Sequence, residues 1–226
     1  MAAQEVASLT LFKDLSEPQA SALASESYCA TFPSGMTLFW QNTPVKHLHV
    51  ILSGHVSLTT YHAGHEHNVL MPGQGCAFPL AALAGEGAAL TTARTVTTCR
   101  IASTPIELVR SLMEQNHAFA LALLRQSVTL SKVLIEESHV RSLRKPYERI
   151  AVWIRQNMNL SADGQTAPLP YPKLTLAAAL GMSPATFARE ADKLMAHGIV
   201  FERDRVHVSS LAALDRIAQA RPEVVH

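Results

Sequence analysis

Histidine is the residue type whose spacing in this chain most invites chemistry. Eleven are present, and His47, His49, His55, His62, His65 and His67 crowd into one short stretch. In His47-x-His49 and His65-x-His67 the two-residue period of a strand puts each pair on one face. Two neutral imidazoles on one face can bind a transition metal, and one can ligate haem iron. Cys76 follows a little further along. His47, His49, His65, His67 and Cys76 are therefore candidate haem or metal ligands. A polar hairpin surface accounts equally for the histidines, and a buried structural cysteine for Cys76. Cys76 and Cys99 could instead form a redox disulfide, whose geometry sequence cannot test. With Cys29 they make three scattered cysteines, no disulfide framework, and a reducing cytoplasm is expected. No GxSxG, P-loop, GxGxxG or HExxH motif occurs, so no enzyme activity is expected.

A second group of residues has the chemistry to hold DNA. Leu174 to Phe201 reads LTLAAALGMSPATFAREADKLMAHGIVF. Leu176, Ala177 and Leu180 recur at helical spacing, and Gly181 breaks the pattern as a helix end should. Ser183 is a good N-cap, and Pro184 stands where the first helical residue needs no N–H. The second helix is expected to bury Phe187, Ala191, Leu194 and Met195. It is expected to show Ala185, Thr186, Ala188, Arg189, Asp192 and Lys193 to solvent, and Gly198 to cap it. Two short helices joined by a tight turn form the helix-turn-helix, whose second helix enters the major groove. Val200 to Glu202 and Arg205 to Val208 read as a two-stranded wing around Arg203-Asp204. The expected DNA contacts are Ser183, Ala185, Thr186, Arg189, Lys193, Arg203 and Arg205. An ordinary helical hairpin would share the apolar pattern but needs none of the cations.

The elements that must position these groups follow from the rest of the chain. Over 226 residues, 48% are hydrophobic and 16% charged, which supports a sizeable core and argues against disorder. The formal net charge of +1 is unevenly placed. Residues 1–140 carry 7 Lys/Arg against 10 Asp/Glu, a balance of −3, and residues 141–226 carry 12 against 8, or +4. A basic C-terminal part suits phosphate contact. No run of ~18 apolar residues occurs and the N-terminus lacks a basic start, so neither a membrane span nor a signal peptide is expected. Ser16-Glu17-Pro18 opens a short helix. From Tyr28 to Ser103, short β-branched runs alternate with turns, as in a small roll or barrel. Strand candidates are Met36 to Trp40, Leu48 to Leu52, Val56 to Tyr61, Asn68 to Met71, Ala88 to Thr98 and Arg100 to Ser103. His62-Ala63-Gly64-His65 is a hairpin turn.

After Pro105 the period becomes 3.6, giving one helix to Gln115 and a second from His117 to about Arg141. The second carries two apolar stripes, Phe119/Leu123/Leu130/Leu134 and Leu124/Val128/Ile135. One would pack on the roll and the other on a partner chain. The expected dimer contacts are Phe119, Leu123, Leu130 and Leu134. His139 to Leu143 is a hinge candidate, Lys145-Pro146 opens another helix, Asn159 to Lys173 reads as a loop, and Ser209 caps a last helix. The domains expected are 1–116, the effector-binding β-roll; 117–142, the dimerisation helix and hinge; and 143–226, the winged helix-turn-helix.

This order resembles the Crp/Fnr superfamily of bacterial transcription regulators. FPSGMTLFWQN resembles its opening roll strands, HVILSGHVSL its strand-Gly-strand hairpin, MPGQG its Pro-Gly turn and LTLAAALGMSPATFARE its helix-turn-helix. The resemblance implies an α+β protein: an N-terminal cyclic-nucleotide-binding-type β-roll, a long dimerisation helix and a C-terminal winged helix-turn-helix. It implies a cytoplasmic homodimeric regulator, activator or repressor, on double-stranded palindromic DNA, with RNA polymerase a possible partner and no membrane. The family's base-reading positions fall on Pro184, Ala185 and Arg189. Cyclic-nucleotide-binding members carry Gly-Glu after the Pro-Gly turn and Arg-Ser or Arg-Thr further on; here stand Cys76-Ala77-Phe78-Pro79-Leu80 and Ala88-Ala89-Leu90-Thr91. From Cys76 to Thr92 there is no Arg or Lys, and Glu86 is the only acid. A buried cyclic phosphate would find no cation there. An apolar pocket of Cys76, Phe78, Leu80, Leu90 and Leu134 is expected, for a small molecule, gas or redox signal other than cyclic AMP. Haem is one possible cofactor, as in a haem-based NO or CO sensor. A ligand-binding module without DNA function is the alternative from outside the regulators.

Overall fold

The computed structural model describes residues 9–84, 87–158 and 165–219. The readings of the N-terminal residues before Leu9, of Glu86 and of loop residues 159–164 lie outside them. Contacts divide the chain into Met1–Leu134 and Ile135–His226.

The first unit opens with a 3-10 turn, Thr10–Phe12, and helix α1, Glu17–Glu26. At the start of α1, the Ser16 N–H donates to the Gln19 carboxamide at 3.1 Å. Eight strands follow: β1 Tyr28–Phe32, β2 Thr37–Phe39, β3 His47–Ser53, β4 Val56–His62, β5 His65–Leu70, β6 Ala77–Phe78, β7 Thr92–Thr95 and β8 Cys99–Pro105. They form two four-stranded antiparallel sheets, ordered β1-β8-β3-β6 and β2-β7-β4-β5. The β4–β5 hairpin closes through Ala63 and Gly64, both at positive φ, with His62 opposite His65. Two positive-φ central residues are what a right-twisted two-residue hairpin requires.

The alternation along β3 builds the core. Leu48 and Val50 point into one cluster with Phe12, Leu23, Val109 and Leu112 of the helical side. His49 and Ile51 point the other way. There Ile51 joins Phe78, Val56, Ala93 and Ile101 between the sheets. The ladders are narrower than the runs read from sequence: β2 is three residues long, and only Thr92–Thr95 of Ala88 to Thr98 is strand.

Helix α2, Ile106–Gln115, precedes α3, His117–Leu143. At 27 residues, α3 is about 40 Å long. It stays helical through the expected hinge at His139 to Leu143, because nothing there breaks a helix before Lys145-Pro146. Its length and composition would suffice to cross a bilayer.

In the second unit, α4 is Pro146–Asn157, α5 Lys173–Ala179, α6 Pro184–Met195 and α7 Leu211–Gln219. Strands β9 Gln165–Pro168, β10 Ile199–Phe201 and β11 Arg205–Val208 form one sheet, ordered β10-β11-β9. The expected wing of two strands therefore has three. The expected loop supplies β9, which pairs Gln165 to Pro168 with Val208 to Arg205. Its proline residue at the ladder's end disguised it in the sequence, yet an edge strand tolerates proline.

Candidate DNA interface and effector domain

The helix-turn-helix is set by local chemistry. Met182, Leu176, Ala177 and Leu180 are all buried. Gly181 and Met182 donate back to the Ala178 and Ala177 carbonyls at 3.0 and 2.9 Å, satisfying orphan C=O groups at the end of α5. The Ser183 hydroxyl then accepts from the Thr186 N–H at 3.1 Å and caps α6. Phe187 and Leu194 face inward, and the Phe187 ring meets Phe201 of β10 edge-on at 5.3 Å. Trp153 of α4 donates to the Tyr171 hydroxyl at 3.2 Å behind them. At the end of α6, Gly198 has φ +75°, and a Cβ there would stand 2.6 Å from the Ser209 Oγ. Only glycine fits that corner.

What α6 leaves outside is the candidate interface. Ser183, Ala185, Arg189 and Lys193 are exposed and Thr186 is half-buried, its hydroxyl 2.9 Å from that of Ser183. Arg203 and Arg205 stand exposed at the wing hairpin. Met195, expected inside, is 54% exposed. Leu194, one residue before it, takes the last inward position of the helix and is 0% exposed, which leaves the thioether on the outer side.

Sequence reasoning missed Glu190, which is 3% exposed although charged. Its carboxylate accepts from Lys193 Nζ at 2.9 and 2.8 Å and from Arg189 Nε at 3.2 Å. The Lys193 hydrogen bond, then that of Arg189, holds the carboxyl below the ordinary range against the effect of burial. Arg189 keeps its side chain 69% exposed while tethered at Nε. The signal available was Lys193, three residues on, at helical pairing distance.

Two further arginines, also unanticipated, close the turn from behind. Arg141 Nη2 donates to the Ala179 carbonyl and Arg149 Nη1 to that of Leu180, both at 3.1 Å. Cations at the C-terminal end of α5 meet the negative end of its dipole.

In the roll, the residues expected to line a pocket fall in different surroundings. Phe78 is buried between the sheets, and Cys76 packs against that cluster. Leu80 packs instead into the cluster on the helical side. Leu90 is 66% and Leu134 38% exposed, and neither belongs to the cluster of Phe78 or that of Leu80. Strand β6 ends at Phe78 and Leu80 opens the 3-10 turn Leu80–Leu83, so the alternation of the strand no longer sets which side it serves. Burial pushes the Cys76 thiol up to about 11, so it is protonated at neutral pH. A guanidinium does reach this region from outside it: Arg110 of α2 donates to the Ala82 carbonyl at 2.7 Å and pairs with Glu107.

The histidine pairs are real neighbours. The ring centroids of His47 and His49 are 6.2 Å apart, and those of His65 and His67 6.5 Å. Among the described residues no three His, Cys, Asp or Glu side chains come together as a metal site.

The two stripes of α3 have different fates. Phe119 and Leu123, expected at a dimer interface, are 0% and 2% exposed within the roll's own core and unavailable to a partner. Leu130 is half-buried. The other stripe is open: Leu124, Val128 and Ile135 are 57%, 47% and 57% exposed. Both stripes are equally apolar, so composition could not say which faces the roll.

Residues 30–116 match the cyclic nucleotide-binding domain family. Solved structures match over nearly the whole chain. A CRP-family transcriptional regulator of Thermus thermophilus is 18% identical, with TM-score 0.69, covering 86% of this chain and 98% of its own. The fold is that of the Crp/Fnr regulators. The c-di-GMP-responsive global regulator CLP of Xanthomonas campestris is 21% identical, TM-score 0.67, covering 86% and 99%. A CooA mutant of Carboxydothermus hydrogenoformans is 16% identical, TM-score 0.74, covering 93% and 95%. No curated protein matches the sequence. The Crp/Fnr fold accounts for the roll, the long helix and the winged helix-turn-helix in their order.

Proposed function

We propose that this Crp/Fnr-fold chain is a non-enzymatic, sequence-specific DNA-binding transcription regulator, acting as a cytoplasmic homodimer. The observation that carries the reading is α6. It is capped by Ser183, anchored by Phe187 and Leu194, and presents Ala185, Thr186, Arg189 and Lys193 beside a wing bearing Arg203 and Arg205. Arg189 can grip guanine O6 and N7, and the other cations can meet phosphates. Homodimerisation is supported by the open Leu124, Val128 and Ile135 stripe. A contiguous apolar helix face of this kind is a liability in a soluble monomer. A palindromic site follows from two-fold symmetry. The effector we propose is a small molecule, gas or redox signal rather than a cyclic nucleotide, because Cys76 to Thr92 supplies no cation of its own. RNA polymerase is the partner an activator of this kind would recruit.

Selection of bound duplexes from a random-sequence pool tests the reading. Enrichment of an inverted repeat with half-sites about one helical turn apart is expected. A pool that stays random overturns it and leaves a ligand-binding module. Sedimentation at micromolar concentration tests the dimer: Val128→Glu should give monomers, whereas Phe119→Ala should act on folding instead.

A further inference from the structure

The roll holds a cavity outside the segment where the fold's effector was sought. It lies between β1, β2 and the start of β3, with a volume of about 260 Å³. That is near the low end of the ~300–1,000 Å³ usual for ligand pockets, so its occupant is small. We propose that this cavity binds a one-ring aromatic carboxylate.

The walls argue for the ring. Tyr28, Phe32, Met36 and Phe39 line the cavity, and Tyr28 and Met36 at its edge are 45% and 44% exposed. Aromatic faces with a polarizable thioether suit a flat π-system.

The polar groups argue for a single negative charge. Lys46 and His47 line the same cavity, and Lys46 lies near enough to help lower the affinity of His47 for a proton, after burial. Lys46 is exposed and has no ion-pair partner among the described residues. No carboxylate lines the cavity, so a metal ion would meet an ammonium and two imidazoles with no anion to hold it. A phosphate dianion would find one lysine and no arginine, which favours a carboxylate instead.

The deepest polar group is His49. Its Nδ1 is 2.9 Å from the Ser103 hydroxyl, its ring stacks on Phe39 at 5.9 Å, and Phe78 stands 5.4 Å away. Tyr28, Ser103, His49 and Phe78 are directly opposed across β1, β8, β3 and β6, so they share one face. Burial holds His49 neutral, down to about 4. In the tautomer whose Nδ1 accepts from Ser103, Nε2–H is left to donate to a ring substituent or to the carboxylate. The buried wall is thus polar without being charged, and the one cation sits where solvent can reach it.

The proposal is independent of the DNA reading, because binding is read on the full chain alone. Calorimetric titration would use benzoate, benzamide (same shape, no charge) and cyclohexanecarboxylate (same charge, no π-face). One benzoate per chain is expected, with both analogues at least tenfold weaker. Lys46→Ala, at an exposed position, should keep the melting temperature and lose about tenfold in benzoate affinity. Proton–carbon spectra should show the His47 and His49 rings shifting with benzoate while His62, His65 and His67 stay still. Absence of heat and of shifts at millimolar benzoate overturns the proposal. So does binding that benzamide and Lys46→Ala leave unchanged, or shifts confined to the other histidines.

Discussion

The β-roll and helix α6 each bury an ionisable side chain, His49 and Glu190, and they treat it in opposite ways. In the roll, His49 is surrounded by Phe39, Phe78, the His47 ring and one hydroxyl, and burial, helped by His47, holds it neutral. In the helix-turn-helix, Glu190 is as buried but stays ionised between Lys193 and Arg189 of its own helix. A sheet interior offers little to balance a charge, because its strands bring neighbours of their own burial. A helix surface lets long cationic side chains fold back over a buried acid while their ends reach water. The roll thus keeps its buried ionisable group uncharged, and the helix holds the cations Arg189 and Lys193 in place over an anion.

The largest effect that sharpens this contrast is on acid stability. His49 ordinarily titrates at 6.5, and burial lowers it to about 4. The unfolded chain takes up the proton first as pH falls, so the stability from neutral His49 is complete above 6.5 and lost on the way down to 4. At ~1.4 kcal/mol per unit that is about 3 kcal/mol. Glu190, whose pKa is depressed, loses its contribution only below the ordinary carboxylate range. Between pH 6.5 and 5 the roll should weaken while the helix-turn-helix holds. Trp40 and Trp153 fall one in each unit, so single-tryptophan variants can follow the two denaturant midpoints separately. His49→Phe should flatten the roll's dependence, and parallel curves would refute the contrast.

Ser103→Ala removes the one polar partner of buried His49 and should cost the roll ~1–3 kcal/mol, read from urea midpoints at pH 7. On the other side, Arg189→Ala should leave stability nearly unchanged. It should cost ~1–3 kcal/mol of discrimination at one base pair per half-site. Equal weakening on every duplex, with a shallower salt slope, would make Arg189 a phosphate contact. The smallest effect expected is from Ser183→Ala, which deletes the cap of α6 and should cost ~1 kcal/mol in thermal unfolding of the second unit.

Legibility differed between the two regions for a related reason. Ser183, Pro184, Gly181 and Gly198 announced the helix-turn-helix because caps and turns depend on neighbours within four residues. Every one of them plays its local part in the structure. Strand β9 was missed because its partner β11 is some forty residues away, and no local signal reports such a pairing. The surroundings of Leu80, Leu90 and Leu134 were equally out of reach, because none of the three lies in a strand whose alternation could place it. The cavity bearing His49 was likewise invisible as a cavity, although His47 and His49 were singled out by their alternation.

The resemblance to the Crp/Fnr regulators supplied the class of fold, while period, caps and turn residues settled most of the order of elements, the capped helix α6 with its exposed cations, and the presence of two apolar stripes on the long helix. Those features follow from propensity, capping and amphipathic spacing, all of which act within a turn or two of the chain. Tertiary structure decided the rest. It sent Phe119 and Leu123 into the roll and left Leu124 and Val128 outside, and it buried Glu190 beneath Arg189 and Lys193. It also set His49 against Ser103 across two strands. Each of these is a choice between chemically equivalent alternatives, made by which distant surface arrives to exclude water.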